Sequence, residues 1–165
     1  MKSAALTIVI DSREQTPWQF PDVETAPGTL AAGDYSLVGL EHLAAIERKS
    51  LPDLVACIGP ERERFERELH RLQSYRCRCV IIEGTLSDVI AGNYRSSTTP
   101  SAVLGSVAAW QQRYNTGFVW AGDPAAAALF ALSTFRAFLR DCERFAVSLG
   151  YHKPKRNNAD ESTTR

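Results

Sequence analysis

Two carboxylates and a lysine are the residues of this chain whose types and spacing could do chemistry. Asp34 stands in GDY, Gly33 to Tyr35, and Glu47 and Lys49 stand in ERK a short way on. Side chains alternate along an extended strand, so Glu47 and Lys49 share one face while Arg48 points to the other. If GDYSLVG and HLAAIERK pair antiparallel, Asp34 at the start of the first meets the end of the second, and the two acids come together. Carboxylates that close repel unless a cation lies between them. An oxygen-rich cluster of this kind suits Mg²⁺ or Mn²⁺, which keep water and recruit phosphate oxygens. The ammonium of Lys49 would then orient or activate a water, or neutralise charge developing on a phosphoryl group.

The elements around these residues read as an alternation of strands and helices. LTIVI, Leu6 to Ile10, is a buried strand delivering Asp11 at its carboxyl end, and CVIIEG, Cys79 to Gly84, is another that ends in Glu83. TPWQFPDVETAPG reads as a punctuated loop, and GFVWAG as one more short strand. Ser50 is an N-cap with Pro52 in the first turn and Asp53 three residues on, in the manner of a capping box, so a helix is expected over 51–58. Gly59-Pro60 interrupts it. A second helix over 61–75 buries Phe65, Leu69 and Leu72 and leaves Arg62, Arg64, Arg67 and Arg71 interleaved with four glutamates. Thr85 caps a short helix to Ala91, Thr99-Pro100 starts one running to Tyr114, and Asp123-Pro124 opens a long one to Leu149, closed by Gly150. This order predicts an α/β domain with a central mixed β-sheet flanked by helices, the first strand pair antiparallel and the helix-connected strands parallel. Ligands of open α/β sheets bind at strand carboxyl ends, where Asp11, Glu47 and Glu83 sit.

At 165 residues the chain is expected to form a single domain over 1–150, followed by a polar, disordered tail over 151–165. Its 44% hydrophobic and 23% charged residues fit a soluble globular protein without a membrane span. The N-terminus lacks a signal-peptide cleavage site, so a cytoplasmic or nuclear location is expected. Nineteen basic and nineteen acidic residues cancel, which leaves a nucleic-acid partner to be decided by where the charge sits. Cys57, Cys77, Cys79 and Cys142 have no metal-ligand spacing and are read as reduced thiols. Trp18, Trp110 and Trp120 are read as core anchors.

GDY followed by ERKSLPD resembles the G-D-(x)n-E-R-K-(x)3-D motif of the XPF-type structure-specific endonucleases, a branch of the PD-(D/E)XK, restriction-endonuclease-like superfamily. VIDSRE at Val9 to Glu14 looks like the family's V-D-x-R-E, RFERELHRLQSY like its helix carrying Arg-(Leu/Phe)-x-x-(Gln/Glu), and VIIEG like its L-L-I-E strand. The resemblance implies a restriction-endonuclease-like fold and a metal-dependent DNA endonuclease acting at branched, flap or single-strand/double-strand junction DNA, in repair, recombination or mobile-element processing. It implies that Asp34 and Glu47 ligate Mg²⁺ or Mn²⁺ with the backbone carbonyl of Arg48, that Lys49 acts on the water or scissile phosphate, and that Asp11 is a further metal-site carboxylate. Arg13, Glu14, Arg48 and Asp53 are supporting positions, with Arg13 and Arg64 facing the DNA backbone. The alternative is a catalytically silent DNA-binding or scaffolding partner of a nuclease complex, which the family also contains; such a partner would be expected to have lost carboxylates or the lysine, whereas Asp11, Asp34, Glu47 and Lys49 are all present.

Several positions keep a plainer reading beside the functional one. Asp53 doubles as a capping residue, Glu14 as an ion-pair partner of Arg13 or Arg48, and Glu83 as a solvated strand end. Many relatives carry a tandem helix-hairpin-helix module after the nuclease domain, and none is expected within these 165 residues. Substrate specificity is therefore expected from the nuclease domain, from a homodimer built on the apolar helix 123–149, or from a separate DNA-binding protein. That helix carries Leu129, Phe130, Leu132, Phe135, Phe138, Leu139 and Phe145, more apolar surface than one face needs.

Overall fold

The computed structural model describes residues 6–151. In chain order the elements are β1 (Thr7–Asp11), β2 (Glu24–Gly28), β3 (Tyr35–Leu37), β4 (Ala44–Ser50), α1 (Leu51–Ala56), α2 (Arg62–Leu72), β5 (Cys77–Glu83), α3 (Leu86–Ala91), α4 (Pro100–Tyr114), β6 (Gly117–Trp120) and α5 (Pro124–Ser148). The strands form one mixed sheet in the order β2-β1-β3-β4-β5-β6. β3 runs antiparallel to both β1 and β4, whereas β4, β5 and β6 are parallel through their helical connections. The α/β architecture with a mixed sheet is therefore as the sequence predicts. The polar tail over 152–165, with Lys153, Lys155 and Arg156, lies outside the described residues.

Strand alternation divides the core into two layers. Ala45, Val80 and Ile82 face a layer filled by Leu54, Phe65, Leu69 and Trp110 from α1, α2 and α4. Ala44, Ile46 and Ile81 face the opposite layer, filled by Ala131, Leu132, Phe135 and Phe138 of α5 together with Trp18 and Phe20 of the loop after β1. Because β1, β4 and β5 end, and β3 begins, at the same edge of the sheet, Asp11, Glu47, Glu83 and Asp34 are carried to that edge together.

Two features differ from the sequence reading. The stretch read as loop contains β2, an edge strand parallel to β1 whose sequence, ETAPG, has no hydrophobic alternation. Proline is tolerated on an edge strand, and glycine is required at position 28, where a Cβ would stand 2.6 Å from Cγ1 of Val9. The second difference concerns α5. Leu132, Phe135 and Phe138, counted above toward a dimer surface, are buried in the domain's own core, and Leu139 packs against it; Leu129, Phe130 and Phe145 remain exposed. All four cysteines are free thiols, and Trp18 and Trp110 are buried anchors.

The expected thermodynamic signature of this division is that Phe135→Ala lowers the unfolding free energy by about 3–5 kcal/mol, whereas Leu149→Ala changes it by no more than ~0.5 kcal/mol. Urea denaturation followed by circular dichroism measures both; equal effects would contradict the assignment of α5 to the core.

Candidate active site

One backbone bond and one turn bring Asp34 beside Glu47. The Asp34 N–H donates to the carbonyl of Ile46 at 2.8 Å, and the Arg48 N–H donates to Oδ2 of Asp34 at 2.7 Å. The residue before, Gly33, has φ +71°, and a Cβ there would sit 3.0 Å from the Ile46 carbonyl oxygen, so only glycine brings the turn this close to β4. Within a strand the N–H and C=O of one residue leave by the same edge. The Arg48 carbonyl therefore leaves β4 on the Asp34 side, beyond Tyr35↔Ile46, the pair that registers β3 against β4.

Glu47 is buried and Asp34 half-buried, in a cleft of about 200 Å³ that Asp11, Gly33 and Glu68 also line. Burial pushes both carboxyls above their ordinary range, and for Glu47 the Asp34 charge adds to it. Lys49 Nζ donates to Oε1 of Glu47 at 2.7 Å and lies over the Phe65 ring, 5.1 Å from its centroid. Burial opposes the Lys49 charge, but the Glu47 carboxylate more than offsets this and holds the ammonium protonated.

These groups fit a hard divalent cation. Oδ1 of Asp34 and Oε2 of Glu47 accept no hydrogen bond from any described residue, while the other oxygen of each is anchored. Two raised, repelling carboxylates with one free oxygen apiece, beside an outward carbonyl, are the partial oxygen set that Mg²⁺ or Mn²⁺ completes with water and phosphate. Among the described residues no three His, Cys, Asp or Glu side chains form a closed metal cage.

Asp11 stands at the same cleft in a different condition. Its Oδ1 accepts from the Arg13 N–H at 2.9 Å and from Arg13 Nε at 2.7 Å, and its Oδ2 from Arg13 Nη2 at 2.9 Å and the Leu30 N–H at 2.8 Å. The bonds from the Arg13 guanidinium, chief among these, hold the carboxyl down to about 2 despite its burial. A carboxylate has about four acceptor positions, and all are engaged, so Asp11 here anchors Arg13 and the loop to Leu30. Arg13 keeps Nη1 free and its side chain largely exposed.

On the far side of β4, Arg48 grips Glu83 through Nε at 2.7 Å and Nη2 at 2.9 Å and reaches Glu14 at 3.3 Å. Trp18 Nε1 donates to the same Glu83 at 2.6 Å. Glu14 thus pairs with Arg48, and Glu83 is a buttress for the motif strand. Asp53 accepts the Ser50 hydroxyl at 2.6 Å and its N–H donates back to Ser50 Oγ at 3.2 Å, the capping role, while its side chain lines the neighbouring cleft. That cleft, about 600 Å³, also takes in Arg13, Arg48, Lys49 and Arg64, the last paired with Glu61 at 3.1 Å on the exposed face of α2.

Glu68 is the site residue that the sequence reading did not single out. It accepts the Gly33 N–H at 2.8 Å and pairs with Arg71, thereby tethering the turn that presents Asp34. The available signal was its place as the last residue of the R-F-x-x-E pattern. Glu68→Gln keeps an acceptor for Gly33 and is expected to hold Mn²⁺ affinity within about threefold, whereas Glu68→Ala should lose about 10–100-fold. Titration calorimetry with Mn²⁺ alone distinguishes them; a glutamine variant as weak as the alanine variant would show that the charge, not the tether, is what matters.

A family model described as the ERCC4 domain matches residues 10–133. Comparison with curated proteins gives no match. Among solved structures, XPF from Aeropyrum pernix is similar with a TM-score of 0.63 and 22% identity over 87% of this chain and 71% of that one. XPF from Aeropyrum pernix in complex with DNA is similar with a TM-score of 0.65 and 24% identity, over 82% of this chain and 66% of that one. These structures share the fold. With three quarters of its length matched by the family model, and Gly33, Asp34 and Glu47 of the motif lining one cleft, the chain belongs to the ERCC4 domain family.

Proposed function

We propose that this protein is a Mg²⁺- or Mn²⁺-dependent DNA endonuclease that hydrolyses phosphodiester bonds at branched, flap or single-strand/double-strand junctions, in repair, recombination or mobile-element processing. The observation that carries the proposal is the pair Asp34–Glu47, each with a free oxygen, facing one cleft beside a lysine held in place by the second of them. Membership of the ERCC4 domain family and the DNA complex of the Aeropyrum pernix XPF support it. A silent scaffold would have no reason to keep two repelling carboxylates at the cost of their burial.

Asp34, Glu47 and the Arg48 carbonyl would hold the cation, and Asp11 would act through Arg13. The chemistry such a cation supplies when bound is Lewis acidity at a phosphoryl oxygen and a lowered pKa of coordinated water. Lys49, fixed between Glu47 and Phe65, places its charge where the scissile phosphate and attacking water would meet and offsets the negative charge that builds there. Arg13 and Arg64 line the adjoining cleft and are exposed, suited to backbone phosphates. Arg48 spends its guanidinium on Glu83 and Glu14 and so serves the strand, not the DNA. We further propose a homodimer through the outward residues of α5, Leu129, Phe130 and Phe145 among them, with a separate DNA-binding protein as the alternative partner. Among the described residues no helix is long and apolar enough to cross a membrane.

Labelled flap and forked DNA incubated with Mg²⁺ or Mn²⁺ tests the activity. Asp34→Asn preserves an acceptor for the Arg48 N–H and should fold normally, yet it and Lys49→Ala should each lose at least about 100-fold in cleavage rate. Cutting unchanged in both variants, or absent from the wild type with either metal, would end the nuclease assignment. Light scattering after size exclusion should give twice the chain mass, and Phe130→Glu with Phe145→Glu should return the monomer; a wild-type monomer would refute the dimer.

A further inference from the structure

A groove on the opposite side of β4 has no place in the chemistry above. It is about 760 Å³ in volume and runs between the loop after β1 and the first turns of α5. Its floor is Trp18, Phe20, Ala128 and Leu132, while Leu129 stands on its rim, 65% exposed. Arg136 of α5 lines it and makes no hydrogen bond or ion pair with any described residue. One acid, Asp22, is also on the rim.

Thr16 and Arg48 line both this groove and the cleft that holds Lys49 and Arg64, so the two are continuous around the end of β4. A strand lying in that neighbouring cleft therefore has a path to an apolar floor and to Arg136, which no described residue pairs. An apolar floor with a cation beside it matches the two halves of a nucleotide, a base with sequence-tolerant apolar faces and a phosphate. A volume of about 760 Å³ falls within the range of small-ligand pockets, enough for a base and its phosphate. A duplex cannot enter, because its bases are stacked inside.

We propose that this groove binds the unpaired strand of a junction substrate, seating a base against the exposed Leu129 above the floor that Trp18 and Phe20 support, with Arg136 on its phosphate. The proposal rests on the nuclease reading and gives that activity a way to tell a junction from a continuous duplex. The floor is held rigidly: Trp18 stacks on Tyr35 at 4.3 Å between centroids and is pinned through Nε1 to Glu83, which Arg48 also grips. The recognition surface and the motif strand thus share one buttress.

Binding of forked DNA and blunt duplex of equal length is measured by fluorescence anisotropy with Ca²⁺ in place of the catalytic metal. Arg136→Glu and Leu129→Glu, both at exposed positions, should lower the ratio of forked to duplex affinity by about five- to tenfold, with melting temperatures unchanged. Arg140→Glu, on the same helix outside the groove, controls for bulk charge and should keep the wild-type ratio. 5-Iodouridine in the unpaired arm should crosslink within 16–22 or 124–136. An unchanged ratio in both groove variants, crosslinks confined to other segments, or an apolar dye in the groove that forked DNA fails to displace would overturn the proposal, the last pointing to an apolar ligand or protein partner. Cleavage is scored separately: metal-dependent cutting with an unchanged ratio defeats the groove alone, and groove binding without any cutting defeats the nuclease reading alone.

Discussion

The hydrogen bond from the Asp34 N–H to the Ile46 carbonyl fixes how near two negative charges are allowed to come. It joins the first residue before β3 to the last apolar residue of β4, and Glu47 is the next position along. Everything at the edge of the sheet serves that approach. Gly33 lets the backbone come close, Glu68 ties down the turn, and Arg48 offers its amide to the Asp34 carboxylate while its side chain braces the strand from the other layer. The repulsion that results is a standing cost, which a cation between the two carboxylates would offset.

The alternation of β4 keeps the two kinds of charge apart. On the α2 face Glu47 pairs with Lys49 and keeps one oxygen without a hydrogen bond from any described residue, whereas on the α5 face Arg48 and Trp18 both bond to Glu83. Asp11 repeats the distinction at the end of β1, since Arg13 and Leu30 take every oxygen lone pair that a metal would need. Of four carboxylates at one end of the sheet, Asp34 and Glu47 each keep an oxygen without a hydrogen bond from any described residue, while Asp11 and Glu83 are held by arginines.

Much of this was legible in the residues because it follows from period and capping. Apolar runs ending in acids gave β1, β4 and β5, Ser50, Thr99 and Asp123 marked helix starts, and antiparallel pairing alone predicted the Asp34–Glu47 approach. What escaped was decided by tertiary contact. β2 carries Pro27 and Gly28 and no alternation, and it forms because β1 offers an edge. The charges of α2 look like a solvated face, yet Glu66 turns inward to Trp110 Nε1 at 2.9 Å and Glu68 to Gly33. Of the apolar excess of α5, Leu132, Phe135 and Phe138 cover the sheet, and a single sequence does not say which residues a sheet face will take.

The contrast between saturated and open cations has a consequence for ionic strength. Arg48 is shielded inside its carboxylate cage, where dissolved ions screen little, while Arg13, Arg64 and Arg136 face water and would contact phosphates through screened, counterion-releasing interactions. Salt would therefore act on the proposed complex selectively: it would loosen the grip on nucleic acid without loosening the frame, so that a complex dispersed at high salt would leave behind a cleft already assembled for the next encounter.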